Sequence, residues 1–272
     1  MAASNLWAHF RQNYFMADRL SEYRQLLSRI LQHGYRFMIM ADFAYSVRAG
    51  TPPEGKVALL RVDVDSDPRG AGRMFEVERE LGVRSTYYFR LSTIDGELIA
   101  AMIRDGTEVG YHFEETSTLA RRRAIRSAAD VERCRDILRD HFRENVALFG
   151  KRAGVTPRTV AAHGDFLNRK LGISNNFFID GTLLDELGIV AEAYQKWLVS
   201  RVSARIADRP PPQNWQPRPP EEVLKSSPVV LSLVIHPRQW VRNPWTNAGA
   251  DFDRVWAEIE YRLKRLRTGR SG

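Results

Sequence analysis

Apolar residues alternate between two kinds of pattern along the chain. In residues 17–33 they recur at helical spacing, and the pattern ends at Gly34. Elsewhere they form short runs typical of buried strands, such as "VALLRVDV" (57–64) and "VVLSLVIH" (229–236). Because helical patterns and short apolar runs follow one another along most of the chain, we predict an α/β fold, with a parallel sheet and helices outside it.

The same patterns place further elements. Helices are predicted over residues 70–82, 94–106, 119–145 and 251–267. Strands are predicted in "YRFMIMADFA" (35–44), "RSTYYFR" (84–90), "TEVGYHF" (107–113) and "RTVAAHG" (158–164). The Pro-rich segment "RPPPQNWQPRPPEE" (209–222) is predicted to be a long loop without helix or strand.

The length of 272 residues suits one domain covering 1–272, with an N-terminal helix at about 17–33 and the Pro-rich loop at about 209–222. About fifty residues follow that loop, and they include a strongly apolar strand, so we expect them to belong to the same sheet rather than to a second domain.

Residues able to bind a metal or move a proton stand where predicted strands end. Asp63 and Asp65 close one strand, and His112, His163 and His236 each close another. The carboxyl ends of parallel strands form the active-site edge of such folds. Two carboxylates on one side of a strand repel each other, so a cation, a metal or exposure to water must offset the repulsion. Carboxylate and imidazole together suit zinc or another divalent transition metal.

The cysteine content, the charge and the apolar runs of the chain argue against several kinds of protein. The single cysteine, Cys134, excludes an internal disulfide and a cysteine-rich zinc site. The positively charged residues behind the net charge of +8 are mostly arginines, and basic clusters lie at 120–126 and 261–270. No aromatic residues interleave with these clusters as a base-stacking surface requires, so no nucleic-acid partner is expected. Neither a signal peptide nor an apolar run long enough to span a membrane is evident, which favours a cytoplasmic protein.

The order of these motifs resembles a known family. From about Tyr23 through Trp240, the segments "RVDVD", "GAGRMFEVERELGVRSTYYFR", "DGTEVGYHFEE", "AAHGDF" and "LVIHPRQW" are similar to the polysaccharide deacetylase superfamily, also called the NodB-homology or carbohydrate esterase family 4 group. The similarity is greatest to a bacterial branch with an "HDVD" motif. It implies a distorted (β/α) barrel, usually of seven strands.

The resemblance also implies a chemistry. A divalent metal, usually zinc, would polarise an acetamide carbonyl and activate water. Asp63 would be the general base, Asp65 and His112 would bind the metal, and His236 would protonate the leaving amine.

Two positions depart from the family pattern. Val62 stands where the branch has histidine, and Thr116 stands four residues after His112, where the better-known motif has a second histidine. We therefore expect His163 to be the third metal ligand, with Glu114 and Glu115 as alternatives.

Candidates for substrate contact follow from the same segments. We expect Tyr88, Arg90 and Trp240 to bind the substrate, because sugar rings stack on aromatic faces; the alternative is that Tyr88 and Trp240 belong to the core. The predicted function is a metal-dependent hydrolase that removes an acetyl group from an N-acetylated sugar or glycan. The alternative is a deacetylase-like protein that has lost catalysis and binds a glycan or an envelope-assembly partner.

Overall fold

The computed structural model describes residues 14–15, 17–210 and 214–268, with the backbone alone at 267 and 268. The helices are α1 (Leu20–Gln32), α2 (Met40–Arg48), α3 (Pro68–Glu80), α4 (Gly96–Arg104), α5 (Glu115–Arg122), α6 (Ala128–Glu132), α7 (Arg135–Ala153), α8 (Phe166–Leu171), α9 (Gly181–Glu186), α10 (Lys196–Val199), α11 (Pro220–Lys225) and α12 (Pro244–Thr268). The strands are β1 (Tyr35–Phe37), β2 (Lys56–Val64), β3 (Thr86–Phe89), β4 (Glu108–Phe113), β5 (Thr159–Ala162), β6 (Ala191–Glu192), β7 (Ala204–Asp208), β8 (Trp215–Gln216) and β9 (Val230–Ile235).

One sheet contains all nine strands of the described residues, in the order β6-β5-β4-β3-β2-β9-β7-β8, with β1 pairing the start of β2. Every pair is parallel except β7 and β8. The predicted α/β fold with a parallel sheet is therefore confirmed. Seven strands, β2–β7 and β9, form the continuous parallel series, and the short strands β1 and β8 add to the expected number.

The sheet curls into a distorted barrel that stays open in the described part of the chain, between β6 on one side and β7 with its short partner β8 on the other. The two sides of this opening approach each other through side chains. The Tyr194 ring, just after β6, lies 4.6 Å from the Arg61 guanidinium and 4.8 Å from that of Arg205 on β7. The Arg205 contact connects the two ends of the parallel series, and the Arg61 contact connects Tyr194 with β2 across the interior.

Alternation along β2 separates two environments. Ala58, Leu60 and Val62 face the main hydrophobic core, which lies between the sheet and its surrounding helices. Leu59 on the opposite face packs with Phe43 in a smaller cluster inside the barrel. Because successive side chains point to opposite faces, Arg61 and Asp63 share the inner side with Leu59.

Helix α2 closes the amino-terminal end of the barrel. The backbone N–H of Met40 donates to Thr86 Oγ1 at 2.8 Å, and that of Ala41 donates to Glu108 Oε2 at 2.9 Å. These strand side chains satisfy N–H groups that the first turn of a helix leaves unpaired. The reactive groups therefore lie at the other end of the barrel, where the strands finish.

The Pro-rich segment differs from its prediction. Within its described residues, Trp215–Gln216 forms β8, which pairs antiparallel with β7, and helix α11 begins at Pro220. Proline fits the first turn of a helix because the N–H it lacks has no partner there. Residues 211–213 of the predicted loop lie outside the described residues.

The residues after this segment belong to the same sheet, because β9 pairs with β2 on one side and β7 on the other. The last helix begins at Pro244, seven residues before its predicted start at Asp251. Among the described residues, every helix is too short or too polar to serve as a membrane span.

Candidate metal centre and proton-transfer pair

Three side chains of metal-ligand type meet at the carboxyl ends of β2, β4 and β5. Asp65, His112 and His163 each offer one ligand atom, and these atoms lie within 4.8 Å of one another. Asp65 Oδ1 is 3.2 Å from His112 Nε2 and 3.6 Å from His163 Nε2. The two imidazole rings stand edge to face, with centroids 5.1 Å apart. The structure thus brings together the three predicted ligands, and metal binding by them stays a prediction.

The donor atoms fit a divalent cation. His112 Nδ1 lies 2.9 Å from the carbonyl oxygen of Ala161 and donates a hydrogen bond to it, so Nε2 is the ring nitrogen that faces Asp65. Asp65 Oδ1 and His163 Nδ1 are buried and have no hydrogen-bond partner among the described residues. Buried polar atoms are rarely left without a partner, and a cation would provide one for the carboxylate.

The local charges favour the forms that bind metal. Burial would raise the pKa of Asp65, but His163 and His112, with His236 beyond them, hold that pKa well below its ordinary value. Burial lowers the pKa of His163, an effect that Asp65 opposes only in part. The low pKa keeps Asp65 ionised, and the burial of His163 favours the neutral imidazole that metal binding requires.

Asp63 lies beside this cluster in a buried ion pair. Arg61 donates to both of its carboxylate oxygens, from Nε at 2.6 Å and from Nη2 at 2.8 Å. Its Oδ2 is 3.7 Å from His112 Nε2. Burial would raise the pKa of Asp63, but the charges of Arg61, His112 and His236 keep it below the ordinary value.

Arg61 is not among the residues predicted for the site. The signal was present, because an arginine stands inside the apolar strand, two positions before Asp63 and so on the same face.

His236 follows β9 and pairs with Asp208 at the end of β7. Its Nδ1 lies 2.6 Å from Asp208 Oδ1, and its backbone N–H donates to Asp208 Oδ2 at 2.8 Å. Burial alone would lower the pKa of His236, but the charge and hydrogen bond of Asp208, together with Asp65 and Asp63, raise it to about 10. The imidazole is therefore protonated at neutral pH.

Asp208 is also absent from the predicted site residues, because strand β7 was not predicted. The alternation in "ARIAD" (204–208) is short, but the rule that reactive residues stand at strand ends applies to Asp208 as well.

The predicted aromatic contacts with substrate are wrong. Trp240 is 3% exposed, packs against Tyr23 and Trp215, and donates from Nε1 to Asp208 Oδ2 at 3.0 Å. Tyr88 is completely buried inside the barrel, where its hydroxyl hydrogen-bonds Thr159 at 2.7 Å. Neither ring can stack on a sugar, so Tyr88 and Trp240 both belong to the core, which was the alternative prediction.

Arg90 is partly buried at the edge of the cluster. It donates to both oxygens of Glu114 and, from Nη1, to the backbone carbonyl of Asp65 at 2.9 Å. This guanidinium therefore holds the loop that carries a predicted metal ligand. Contact between Arg90 and a substrate stays a prediction.

The alternative third ligands are engaged elsewhere. Glu114 Oε2 lies 3.8 Å from His163 Nδ1, behind the imidazole rather than among the three ligand atoms. Glu115 accepts hydrogen bonds from Tyr111 and Asn145, and burial raises its pKa to about 7. Thr116, which replaces the family's second histidine, is buried and donates to the carbonyl of Asn175.

No family model and no curated protein sequence matches the chain. Several solved structures do. A Streptococcus pyogenes deacetylase, PplD, in complex with acetate is 11% identical, with a TM-score of 0.47 over 73% of this chain and 84% of that one. A Bacillus subtilis peptidoglycan deacetylase, PdaC, is 13% identical, with a TM-score of 0.40 over 80% and 95%.

A third match is BA3943 of Bacillus anthracis, described as a CE4 family pseudoenzyme. It is 11% identical, with a TM-score of 0.39 over 78% of this chain and 62% of that one. The matching structures thus include members of the family that the sequence motifs resemble.

Proposed function

We propose that this protein is a metal-dependent hydrolase that removes an acetyl group from an N-acetylated sugar or glycan. The observation that supports it is the convergence of Asp65, His112 and His163, with a buried carboxylate oxygen that has no partner among the described residues. These three residues would hold a divalent cation such as zinc. When bound, such an ion polarises the acetamide carbonyl and lowers the pKa of water.

Asp63 and His236 would carry the proton transfers. Asp63 is ionised and adjacent to the metal ligands, which suits a general base that takes a proton from the attacking water. Protonated His236 would give its proton to the amine as the C–N bond breaks. Asp208 fixes the orientation of the ring by accepting from Nδ1, which leaves Nε2 as the nitrogen that donates.

Metal binding is tested first and separately from activity. Titration of metal-free protein with zinc in a calorimeter should give one site, and His112→Ala and His163→Ala should each lose it. His33→Ala is the matched control, because His33 is exposed on another part of the molecule. Binding that is unchanged in both site variants would overturn the proposed metal centre.

Activity is tested by measuring acetate release from a panel of N-acetylated sugars and oligosaccharides. Asp63→Asn and His236→Ala should each lower the rate by about 10²–10⁴-fold, the usual contribution of a general base or acid. A fully active His236→Ala variant would remove this histidine from the mechanism.

The Arg61–Asp63 pair favours a second candidate, a protein that binds a glycan or an envelope-assembly partner without catalysis. Both oxygens of Asp63 accept from one buried guanidinium, which makes the carboxylate a weaker base. Zinc-loaded protein that binds an N-acetylated oligosaccharide, yet releases no acetate from any member of the panel, would support this candidate over the hydrolase.

A further inference from the structure

The C-terminal helix α12 exposes a row of large apolar side chains. Trp245 is 88% exposed, Phe252 67% and Leu266 68%. We call the row the α12 stripe, and it consists of Trp245, Phe252, Trp256, Ile259, Leu263 and Leu266. The Phe252 and Trp256 rings stack, with centroids 6.4 Å apart. Single exposed apolar residues are ordinary, but a continuous row of this kind marks an interaction surface.

The opposite face of α12 is fixed to the body of the protein. Ala257 and Tyr261 are buried, and the Tyr261 hydroxyl donates to the carbonyl of Ile125 at 2.6 Å. Arg238 pairs with both oxygens of Asp251. Since these contacts hold one side of the helix, the α12 stripe points away from the described fold.

The spacing of the stripe is that of a helix-pairing seam. From Phe252 to Leu266 the intervals are alternately four and three residues, and Trp245 lies one heptad before Phe252. Gly249 occupies the remaining position of this 3–4 repeat. Such spacing keeps a narrow row of side chains facing one partner helix along its length.

The size of the stripe matches half of a stable interface. The six side chains and the adjacent Val255 present on the order of 800 Å² of accessible surface, judged from their exposed fractions and ordinary side-chain areas. The largest apolar patch on a typical monomer is about 300–600 Å². A standard protein–protein interface buries roughly 800 Å² on each partner.

A second copy of the chain fits this surface better than a membrane does. Asp253 and Glu260 border the stripe and would be pressed against anionic headgroups if the helix lay on a lipid surface. Glu260 also pairs with Lys264, and Glu258 with Arg262, as at the flanks of helices that pair in water. We propose that two copies of this protein associate through their α12 stripes as a symmetric dimer.

Sedimentation velocity of the full chain across the micromolar range tests the proposal. The expected species has twice the chain mass of 31.2 kDa. Trp256→Glu/Leu263→Glu should weaken self-association by roughly 100-fold or more, because it places charges at central apolar anchors. Phe252→Glu/Ile259→Glu, which alters other positions of the stripe, should do the same.

Val229→Glu is the matched control, since Val229 is 57% exposed but lies outside α12, and it should leave the dimer intact. Unchanged thermal unfolding of the dilute variants by circular dichroism shows that they are folded. A wild-type monomer throughout the concentration range would overturn the proposal, as would a dimer that both double variants retain. A monomer that binds anionic phosphatidylserine vesicles through the α12 stripe would overturn the dimer proposal in favour of a membrane-binding surface.

Discussion

At the residue scale, the Asp208–His236 pair determines a charge at the proposed active site. The pKa of His236 is raised to about 10 in the folded protein, against an ordinary value of 6.5. A group whose pKa rises on folding stabilises the protein below its unfolded pKa, and this contribution is lost as pH rises through the folded value. The stability that the pair provides is therefore complete below about pH 6.5 and lost towards pH 10.

Removing the Asp208 charge should lower the pKa of His236. In Asp208→Asn we expect the pKa of His236 to fall by about 1–3, the usual effect of one opposite charge in contact. The pKa is measured by NMR titration of the imidazole in metal-free protein. An unchanged His236 titration would exclude Asp208 as the cause of the raised pKa.

Arg61 should matter for stability as well as for Asp63. Arg61→Met leaves a buried carboxylate without its partner, a change that typically costs about 3–5 kcal/mol. Urea unfolding should show this loss, and adding Asp63→Asn should recover part of it. Arg24→Met is the control, because its pair with Glu80 is exposed at the surface and such pairs contribute little. Equal effects of the two arginine substitutions would contradict the expectation.

At the element scale, Glu78 connects α1, α3 and β3. It is fully buried and accepts hydrogen bonds from the hydroxyls of Tyr23, Ser85 and Tyr87. Burial raises its pKa from 4.5 to about 7, and the three hydrogen bonds offset only part of that rise. A carboxyl group whose pKa rises on folding stabilises the folded state in its protonated form. This contribution is therefore present below about pH 4.5 and is lost as pH rises through 7.

The Glu78→Gln variant should therefore have a flatter dependence of stability on pH. Between pH 4.5 and 7, the wild type should lose more unfolding free energy than the variant, because an amide has no proton to release. Denaturant unfolding at several pH values measures the difference. Glu76→Gln, at an exposed position of the same helix, is the control and should follow the wild-type curve. Parallel curves for Glu78→Gln and the wild type would refute this role.

Long apolar patterns predicted helices and strands correctly, whereas the shortest strands were not predicted. The β2 pattern and the helix at 17–33 were predicted because many residues share one periodicity. Strands β6 and β8 have only two residues each, too few for a period to be recognised. The predicted ligands Asp65, His112 and His163 lie together because each stands at the carboxyl end of a strand. In a parallel sheet, the topology alone brings these ends to the same edge.

The burial of Tyr88 and Trp240 could not be predicted in the same way. Position at a strand end does not specify whether a ring faces solvent or core, since that depends on side chains far away in sequence, such as Tyr23 and Thr159.

At the scale of the whole molecule, β9 holds the sheet together. It lies between β2 and β7, and all six of its residues are buried. A chain ending at residue 228 lacks β9 and should not unfold cooperatively in a thermal melt followed by near-UV circular dichroism. A chain ending at residue 243 keeps every strand, lacks α12 and should melt cooperatively at a lower temperature than the full chain. Cooperative melting of the shorter chain would contradict the central role of β9.

The pairing of β2 with β9 also affects how the protein is made. Val57 pairs with Val230, which the ribosome adds 173 residues later. At about 5–20 residues per second, β2 waits on the order of ten to thirty seconds for this neighbour. During that time the edge of its apolar strand is available to other chains. The sheet therefore cannot be completed until β9 has been synthesised. Until then, the nascent chain depends on whatever shields that edge.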